Sequence, residues 1–239
     1  MKSREKAYFN RVADIFDIKF NLYLKPAGIL RKQRRIELFE QYCNLKPGLK
    51  TLEIGCGTGE FTRDLLKYEL NLFATDLSFS MLKKAIGKIG KTKNLIFFLS
   101  DIEQLPIRSD TFDAVIGNSI LHHVKIEVAL REIFRVLKSG GRFAFSEPNM
   151  LNPQIFLHKR IRFIKELVGD SPDETAFSRW NLKKTLERAG FRNTIIKPFD
   201  FLHPCTPEPF IKIIKLLGLF LEKTPVKEIG GSLLITGEK

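Results

Sequence analysis

Cysteine is scarce in this 239-residue chain: Cys43, Cys56 and Cys205 lie far apart, without CxxC spacing or the even number of a disulfide framework. Neither a zinc site nor a stapled fold is expected, no metal is expected, and the thiols are read as reduced. Long apolar runs are missing too, since no stretch reaches the roughly 18 residues that cross a bilayer. The opening MKSREKAYFNRVADIFD also lacks the apolar core of a secretory signal. A cytoplasmic location is expected. Internal repeats, low-complexity linkers and a ribbon of alternating basic and aromatic residues for single-stranded nucleic acid are likewise absent.

What is present bounds the answer from the other side. With 44% hydrophobic residues the chain can bury a full core, and one domain spanning residues 1–239 is expected. The formal net charge of +13 implies attraction to something anionic without choosing among nucleic acid, a phospholipid surface and a phosphorylated metabolite. The densest cationic cluster, Arg31-Lys32-Gln33-Arg34-Arg35, runs into the helical pattern IELFEQYC and is expected to form a solvated helix face.

The hydrophobic pattern alternates between strand and helix. Leu49–Ile54 is a short apolar run ending at glycine, followed by a helix with Phe61, Leu65 and Leu66 on one side, and Leu70–Thr75 reads as a second strand. Ser78 can cap a helix carrying Met81, Leu82 and Ala85. Leu95–Leu99 reads as a buried third strand and Thr111–Gly117 as a fourth. Ile126, Leu130, Ile133, Phe134 and Leu137 recur at helical spacing, Gly140-Gly141 is expected to stop that helix, and Arg142–Ser146 begins a fifth strand. Strands separated by helices of this length predict a doubly wound α/β fold built on a mostly parallel sheet. Ligands of such sheets bind beyond the carboxyl ends of the strands, where the strand order reverses.

The candidate residues all sit just after strands. In TLEIGCGTGEF the spacing is GxGxG, no lysine follows until Lys67, and a phosphate-cradling P-loop is therefore disfavoured. Asp76 ends the second strand, where a carboxylate suits the ribose hydroxyls of either a dinucleotide or an adenosyl ligand. Asp101 ends the third and can accept from an adenine amino group. Two acids with no basic group near the glycines describe an adenosine whose tail is not a phosphate, which is the shape of S-adenosylmethionine. Gly55 and Gly57 allow close backbone approach, and Glu53 can accept from the ligand's ammonium.

TLEIGCGTGEF, LFATDLSFSML, FLSDIEQLPIRSDTFDAVIGNSILHHV and EIFRVLKSGGRFAFSEPN, in this order over residues 45–150, resemble the successive motifs of the class I S-adenosylmethionine-dependent methyltransferases. The resemblance implies a seven-stranded Rossmann-like sheet, with Phe191–Lys197 as the sixth strand and Ser232–Thr236 as an antiparallel seventh beside it. It implies that Gly55, Cys56 and Gly57 line the methionine part of the cofactor and that Asp76 with Leu77 holds the ribose. Asp101 with Ile102 would hold the adenine, and Asn118 would flank the methyl-bearing sulfur. Residues 1–44 would form a helical lid, with Tyr8, Phe9, Phe16, Phe20 and Tyr23 over the cofactor, and 151–239 an extended acceptor-side region with the last two strands.

Methyl transfer needs a base only when the acceptor must lose a proton. His122 and His123 are nearest, one of them expected to pack beneath the following helix because neighbours should not both face a cleft; His123 is the candidate base. No Asn-Pro-Pro-Tyr-like or Asp-Pro-Pro-Tyr-like stretch is present, which makes a nucleobase acceptor less favoured. Ser171-Pro172-Asp173-Glu174 has the form of a capping box, and Trp180, His203 and PFDFLHP are pocket or core candidates. The helix of Pro207–Lys223 has only a narrow polar stripe, Lys212, Lys215 and Glu222; it must be covered by the domain, a dimer partner or a lipid surface. The reading is a methyltransferase acting on a small molecule or lipid-linked metabolite, oxygen being favoured over nitrogen or carbon as acceptor. A tRNA or rRNA methyltransferase, a non-catalytic S-adenosylmethionine-binding protein and an NAD-dependent oxidoreductase are the alternatives, the last disfavoured by the GxGxG spacing.

Overall fold

The computed structural model describes residues 2–19, 22–160 and 176–239. Strands β1 (Lys50–Ile54), β2 (Asn71–Asp76), β3 (Leu95–Leu99), β4 (Phe112–Asn118), β5 (Leu137–Pro148), β6 (Arg192–Phe199) and β7 (Ser232–Glu238) form one sheet in the order β3-β2-β1-β4-β5-β7-β6. The first five are parallel, and β7 runs antiparallel between β5 and β6. The seven-stranded Rossmann-like sheet read from the sequence is the observed one, with β7 beside β5 as well as β6.

Helices cover both faces. On one side lie α2 (Pro26–Cys43) and α3 (Glu60–Leu65), which bury Ile36, Phe39, Phe61 and Leu65 against Leu72, Ala114, Ile116, Ala144 and Leu234. On the other, α5 (Ile126–Val136) supplies Leu130 and Ile133, packed on Leu52, Ile54, Val115, Phe143, Phe145, Leu233 and Ile235. Alternate strand residues thus feed opposite cores, which is the period-two signature of a sheet buried on both faces. Helix α4 (Phe79–Ile89) begins at Ser78, whose Oγ accepts from the Met81 amide at 3.2 Å, and buries Met81, Leu82 and Ala85. The amino-terminal α1 (Lys2–Lys19) packs Val12 and Ala13 against Met81, and Asn10 Oδ1 accepts from Ser78 Oγ at 2.6 Å. The carboxyl-terminal third adds α6 (Pro153–Arg160), α7 (Arg179–Arg188) and α8 (Glu208–Leu221).

Three sequence expectations are corrected. β3 is an edge strand rather than a buried one: it pairs with β2 alone, leaving Ile96 and Leu99 about half exposed. Helix α5 ends at Val136, ahead of the two glycines. Leu137 is fully buried and already paired with Phe112, so sheet pairing overrides the helical spacing there.

The third correction concerns the cationic cluster, which is not a solvated face. Arg31 Nε and Arg35 Nη2 each lie 2.7 Å from Asp200 Oδ2, Arg34 pairs with Glu222, and Lys32 sits 2.8 Å from Asp64 Oδ2. Arg35 also donates to Ser146 Oγ and Ser232 Oγ, which ties α2 to β5 and β7. The spacing of the cluster was helical, but α2 lies across the sheet, so its basic side chains meet acids some 30 and 170 to 190 residues away. Burial would raise the Asp200 pKa, but Arg35 and Arg31 outweigh it and hold the carboxyl below its usual range. Asp200→Asn leaves two buried guanidinium groups without a counter-charge and is expected to cost about 3–5 kcal/mol in urea melts at pH 7. Because the folded pKa is depressed, this contribution is present above about pH 4 and is lost as the pH falls through the folded value, so the mutant and wild-type curves converge in acid.

Candidate active site

β1 and β4 are neighbours, yet the chain leaves β1 toward β2 and leaves β4 toward β5. The loops part at that point, and a cavity of about 490 Å³ opens beyond the carboxyl ends of the parallel strands. Every strand end contributes: Glu53 to Thr58 after β1, Thr75 to Leu77 after β2, Ser100 to Ile102 after β3, Ile116 to Ile120 after β4, and Glu147 after β5. All ten residues singled out from the sequence, Glu53, Gly55, Cys56, Gly57, Asp76, Leu77, Asp101, Ile102, Asn118 and His123, line this one cavity.

The glycine loop is shaped by internal hydrogen bonds. The amides of Gly55 and Cys56 donate to the Thr75 carbonyl at 2.8 and 3.0 Å, that of Gly57 to Asp76 Oδ2 at 2.8 Å, and that of Gly59 to the Cys56 carbonyl at 2.9 Å. A loop that binds pyrophosphate keeps its amides free for the anion; this one has committed four of them. Gly55 (φ +70°) and Gly57 (φ +54°) hold left-handed backbone. A Cβ built at Gly55 would sit 2.9 Å from Ile120, whereas one at Gly57 would project into open space. The bare backbone at Gly57 leaves room for a ligand.

The side chains around the loop are acidic. Glu53 is buried and accepts from Thr62 Oγ1 at 2.7 Å; desolvation pushes its pKa up to about 7, partly opposed by the Thr62 hydrogen bond and reinforced by Asp76. Asp76 is raised by burial too, while its hydrogen bonds from the Ser78, Gly57 and Leu77 amides pull the other way. Burial, Asp76 and Glu53 drive the Cys56 thiol well above its ordinary value, so it is a neutral packing group. Asp101 Oδ1 accepts from the Glu103 amide at 2.8 Å, so this acid shapes its own turn while also facing the cavity. Asn118 Nδ2 donates to the Tyr23 hydroxyl at 2.9 Å, and its buried Oδ1 has no partner among the described residues. That orphaned acceptor and the space beside Gly57 are features a bound donor would complete.

The histidine pair departs from expectation. Both His122 and His123 line the cavity, because Leu121–His123 forms a 3₁₀ turn in which successive side chains point about 120° apart. His122 Nδ1 bonds the fully buried Glu147, whose other oxygen accepts from the Ile120 and Leu121 amides at 2.9 and 2.8 Å. His123 Nδ1 lies 3.1 Å from Glu5 Oε2 of α1, with the Phe9 ring edge-on to it. Glu5, Glu147, Arg31 and Arg35 also line the cavity and were missed as site residues. Glu147 carried a readable signal, an acid ending a buried apolar strand, whereas nothing local marked Glu5. The sequence candidate Trp180 is exposed and does not line the cavity. His203 is exposed and pairs with Gln154, while Pro204 next to it reaches the cavity wall. Phe20 and the 171–174 capping box lie outside the described residues.

A mixed sheet with an acid-flanked glycine loop at its switch point defines an α/β fold of the Rossmann type, suited to an adenosine-bearing ligand without phosphates. Residues 52–145 match a family model described as a methyltransferase domain. Residues 52–145 thus carry a methyltransferase domain of the class I S-adenosylmethionine-dependent kind. It is 28% identical over 184 residues to sterol 24-C-methyltransferase erg6 of Schizosaccharomyces pombe, covering 71% of this chain but 48% of that protein. It is also 28% identical over 210 residues to the ubiquinone/menaquinone biosynthesis C-methyltransferase UbiE of Vibrio campbellii, covering 78% of this chain and 79% of the relative. The chain thus spans about half the length of the fission-yeast enzyme. Among solved structures, a possible histamine N-methyltransferase from Thermotoga maritima shares the fold at a TM-score of 0.70 and 21% identity, over 98% of this chain and 99% of that one.

The raised pKa of Glu53 makes a prediction about the ligand-free protein. A carboxyl whose folded pKa lies above the unfolded value favours folding when protonated, and that contribution is lost as the pH rises through about 7. Glu53→Gln keeps the acceptor for Thr62 and removes the buried charge. Thermal melts should therefore show the variant more stable by on the order of 2 to 3 kcal/mol at pH 8 and equal to wild type near pH 4.

Proposed function

We propose that this chain moves the methyl group of S-adenosylmethionine to a small molecule or lipid-linked metabolite, with oxygen as the attacked atom. The observation that carries the reading is the loop whose amides are already spent, ringed by Glu53, Asp76 and Asp101: it repels a phosphate and suits a cationic adenosyl ligand. In this reading Glu53 takes the ammonium, and Gly55, Cys56 and Gly57 line the methionine portion. Asp76 with Leu77 holds the ribose, Asp101 with Ile102 the adenine, and Asn118 flanks the sulfur. Bound there, the sulfonium supplies a methyl group that is already electrophilic.

What remains for the protein is alignment, exclusion of water and removal of a proton. Helix α1 brings Glu5, Tyr8, Phe9 and Phe16 to the cavity, which supports a lid role for residues 1–44 above a cofactor core of 45–150, with 151–239 on the acceptor side of a single domain. His123 is the proposed base, with Glu5 Oε2 lying 3.1 Å from its Nδ1, and it supports an acceptor that sheds a proton. Arg31, Arg35 and Lys159 also line the cavity, the two arginines sharing the Asp200 carboxylate. The protein works in the cytoplasm, in contact with lipid at its periphery through residues 207–223. An RNA acceptor is less well supported, because the cationic cluster that would have met phosphates is paired internally.

Calorimetry should register binding of S-adenosylhomocysteine and none of NAD or ATP, and Asp76→Ala should weaken the former at least tenfold, the loss of about one charge-assisted hydrogen bond. Absence of heat with the adenosyl ligand on folded protein would refute the reading. Labelled cofactor incubated with fractionated cell extract should mark the hydrophobic or small-molecule fraction, and label confined to nucleic acid would move the assignment to RNA. Deleting residues 1–24 should sharply weaken cofactor binding; unchanged affinity would remove the lid.

A further inference from the structure

Helix α8 has two apolar stripes, and the described residues cover only one of them. Ile211, Ile214 and Gly218 face the domain, where they meet Ala27, Leu30, Leu202 and Phe201; a Cβ on Gly218 would come within 3.2 Å of Phe201. Phe210, Ile213, Leu217 and Phe220, spaced i, i+3, i+7 and i+10, form a second stripe that is 57, 64, 53 and 64% exposed, with Leu216 beside it at 59%. Isolated exposed apolar residues are ordinary, but a continuous stripe of five large ones along a helix marks an interaction surface.

We propose that this stripe is a docking surface for an anionic lipid bilayer. Charge selects the occupant. Lys212 and Lys215 stand exposed on the same helix, and Lys223 follows it, none with an acidic partner among the described residues. Of the nearby acids, Glu222 is consumed by Arg34 and Glu228 pairs with Arg179, which leaves Glu208 at the helix start. An apolar helix face flanked by unpaired lysines is how a helix lies at a headgroup boundary, side chains in the acyl region and ammonium groups among phosphates. A second copy of this chain is a poorer occupant, since a two-fold contact on this face would bring the same lysines against each other without counter-charge. The helix is fixed rather than loosely tethered: Glu222 binds Arg34 of α2, and the loop leading into α8 contributes Pro204 to the cavity wall. Docking would therefore hold the cavity wall against the membrane, which deepens the proposed reading of a lipid-linked acceptor and rests on it only for that consequence.

The test is co-sedimentation of the full chain with vesicles of phosphatidylcholine containing about one third phosphatidylserine, beside pure phosphatidylcholine vesicles. Most of the protein should pellet with the anionic vesicles and little with the neutral ones. Phe210→Ser combined with Phe220→Ser should reduce binding at least tenfold, and Lys212→Gln with Lys215→Gln should reduce it and weaken its salt dependence. Both exchanges are on the surface, and S-adenosylhomocysteine calorimetry on each variant checks that the fold is intact. Protein that stays in the supernatant with anionic vesicles, binding indifferent to these substitutions, or a concentration-dependent dimer abolished by Phe210→Ser and Phe220→Ser would each overturn the proposal. Vesicle binding without adenosyl-ligand binding would sink the methyltransferase reading and leave the docking surface standing.

Discussion

The pairing of β1 with β4 is the constraint on which the site depends. Each parallel strand must be followed by a crossover of fixed hand, so a sheet that grows outward from its middle has to send its first crossovers in opposite directions. The crevice between them is a consequence of backbone topology and exists before any side chain is chosen. What sequence adds is a loop whose left-handed backbone Gly55 and Gly57 adopt without strain, and carboxyl groups at the ends of three adjacent strands. Backbone and acids are also joined: Asp76 fastens the Gly57 amide and the start of α4 together, so the same carboxylate that faces the cavity sets the shape of the loop beside it.

Charge inside this protein is spent unevenly. Around the glycine loop the acids outnumber cations, and burial leaves Glu53 only partly ionised near neutral pH. A cationic ligand would relieve that imbalance, whereas a phosphate would deepen it. Arg31 and Arg35, which line the same cavity, share the Asp200 carboxylate. The arginines also do structural service, since their partners hold α2 to the carboxyl-terminal strands.

The two ends of the chain complete what the sheet begins. Helix α1 reaches the cavity through Glu5 and Phe9, which contact His123, while it is anchored away from it by Asn10 and Ser78. Helix α8 is anchored on its inner seam and through Glu222, leaving an outer stripe that the described residues do not cover.

How much of this was legible beforehand follows from the range of the interactions involved. The alternation of strands and helices, the capping by Ser78 and the site residues after β1 to β4 were readable, because each rests on local periodicity or on a rule of parallel sheets that fixes where strand ends meet. The fate of Arg31 to Arg35 was not readable: whether a basic helix face meets water or buried acids depends on Asp200 and Glu222, some 170 to 190 residues away. Leu137 was assigned to a helix for the same reason, since its pairing with Phe112 is a tertiary contact that helical spacing cannot report. Sequence by itself determined the parallel strands, the glycine loop and the acids Glu53, Asp76 and Asp101 at the ends of β1 to β3, all products of short-range chemistry. Only the tertiary structure decided that Glu147 would bond His122, that Glu5 would lie beside His123 and that the described residues would leave one face of α8 uncovered, because these outcomes depend on which distant surfaces the packed chain brings together.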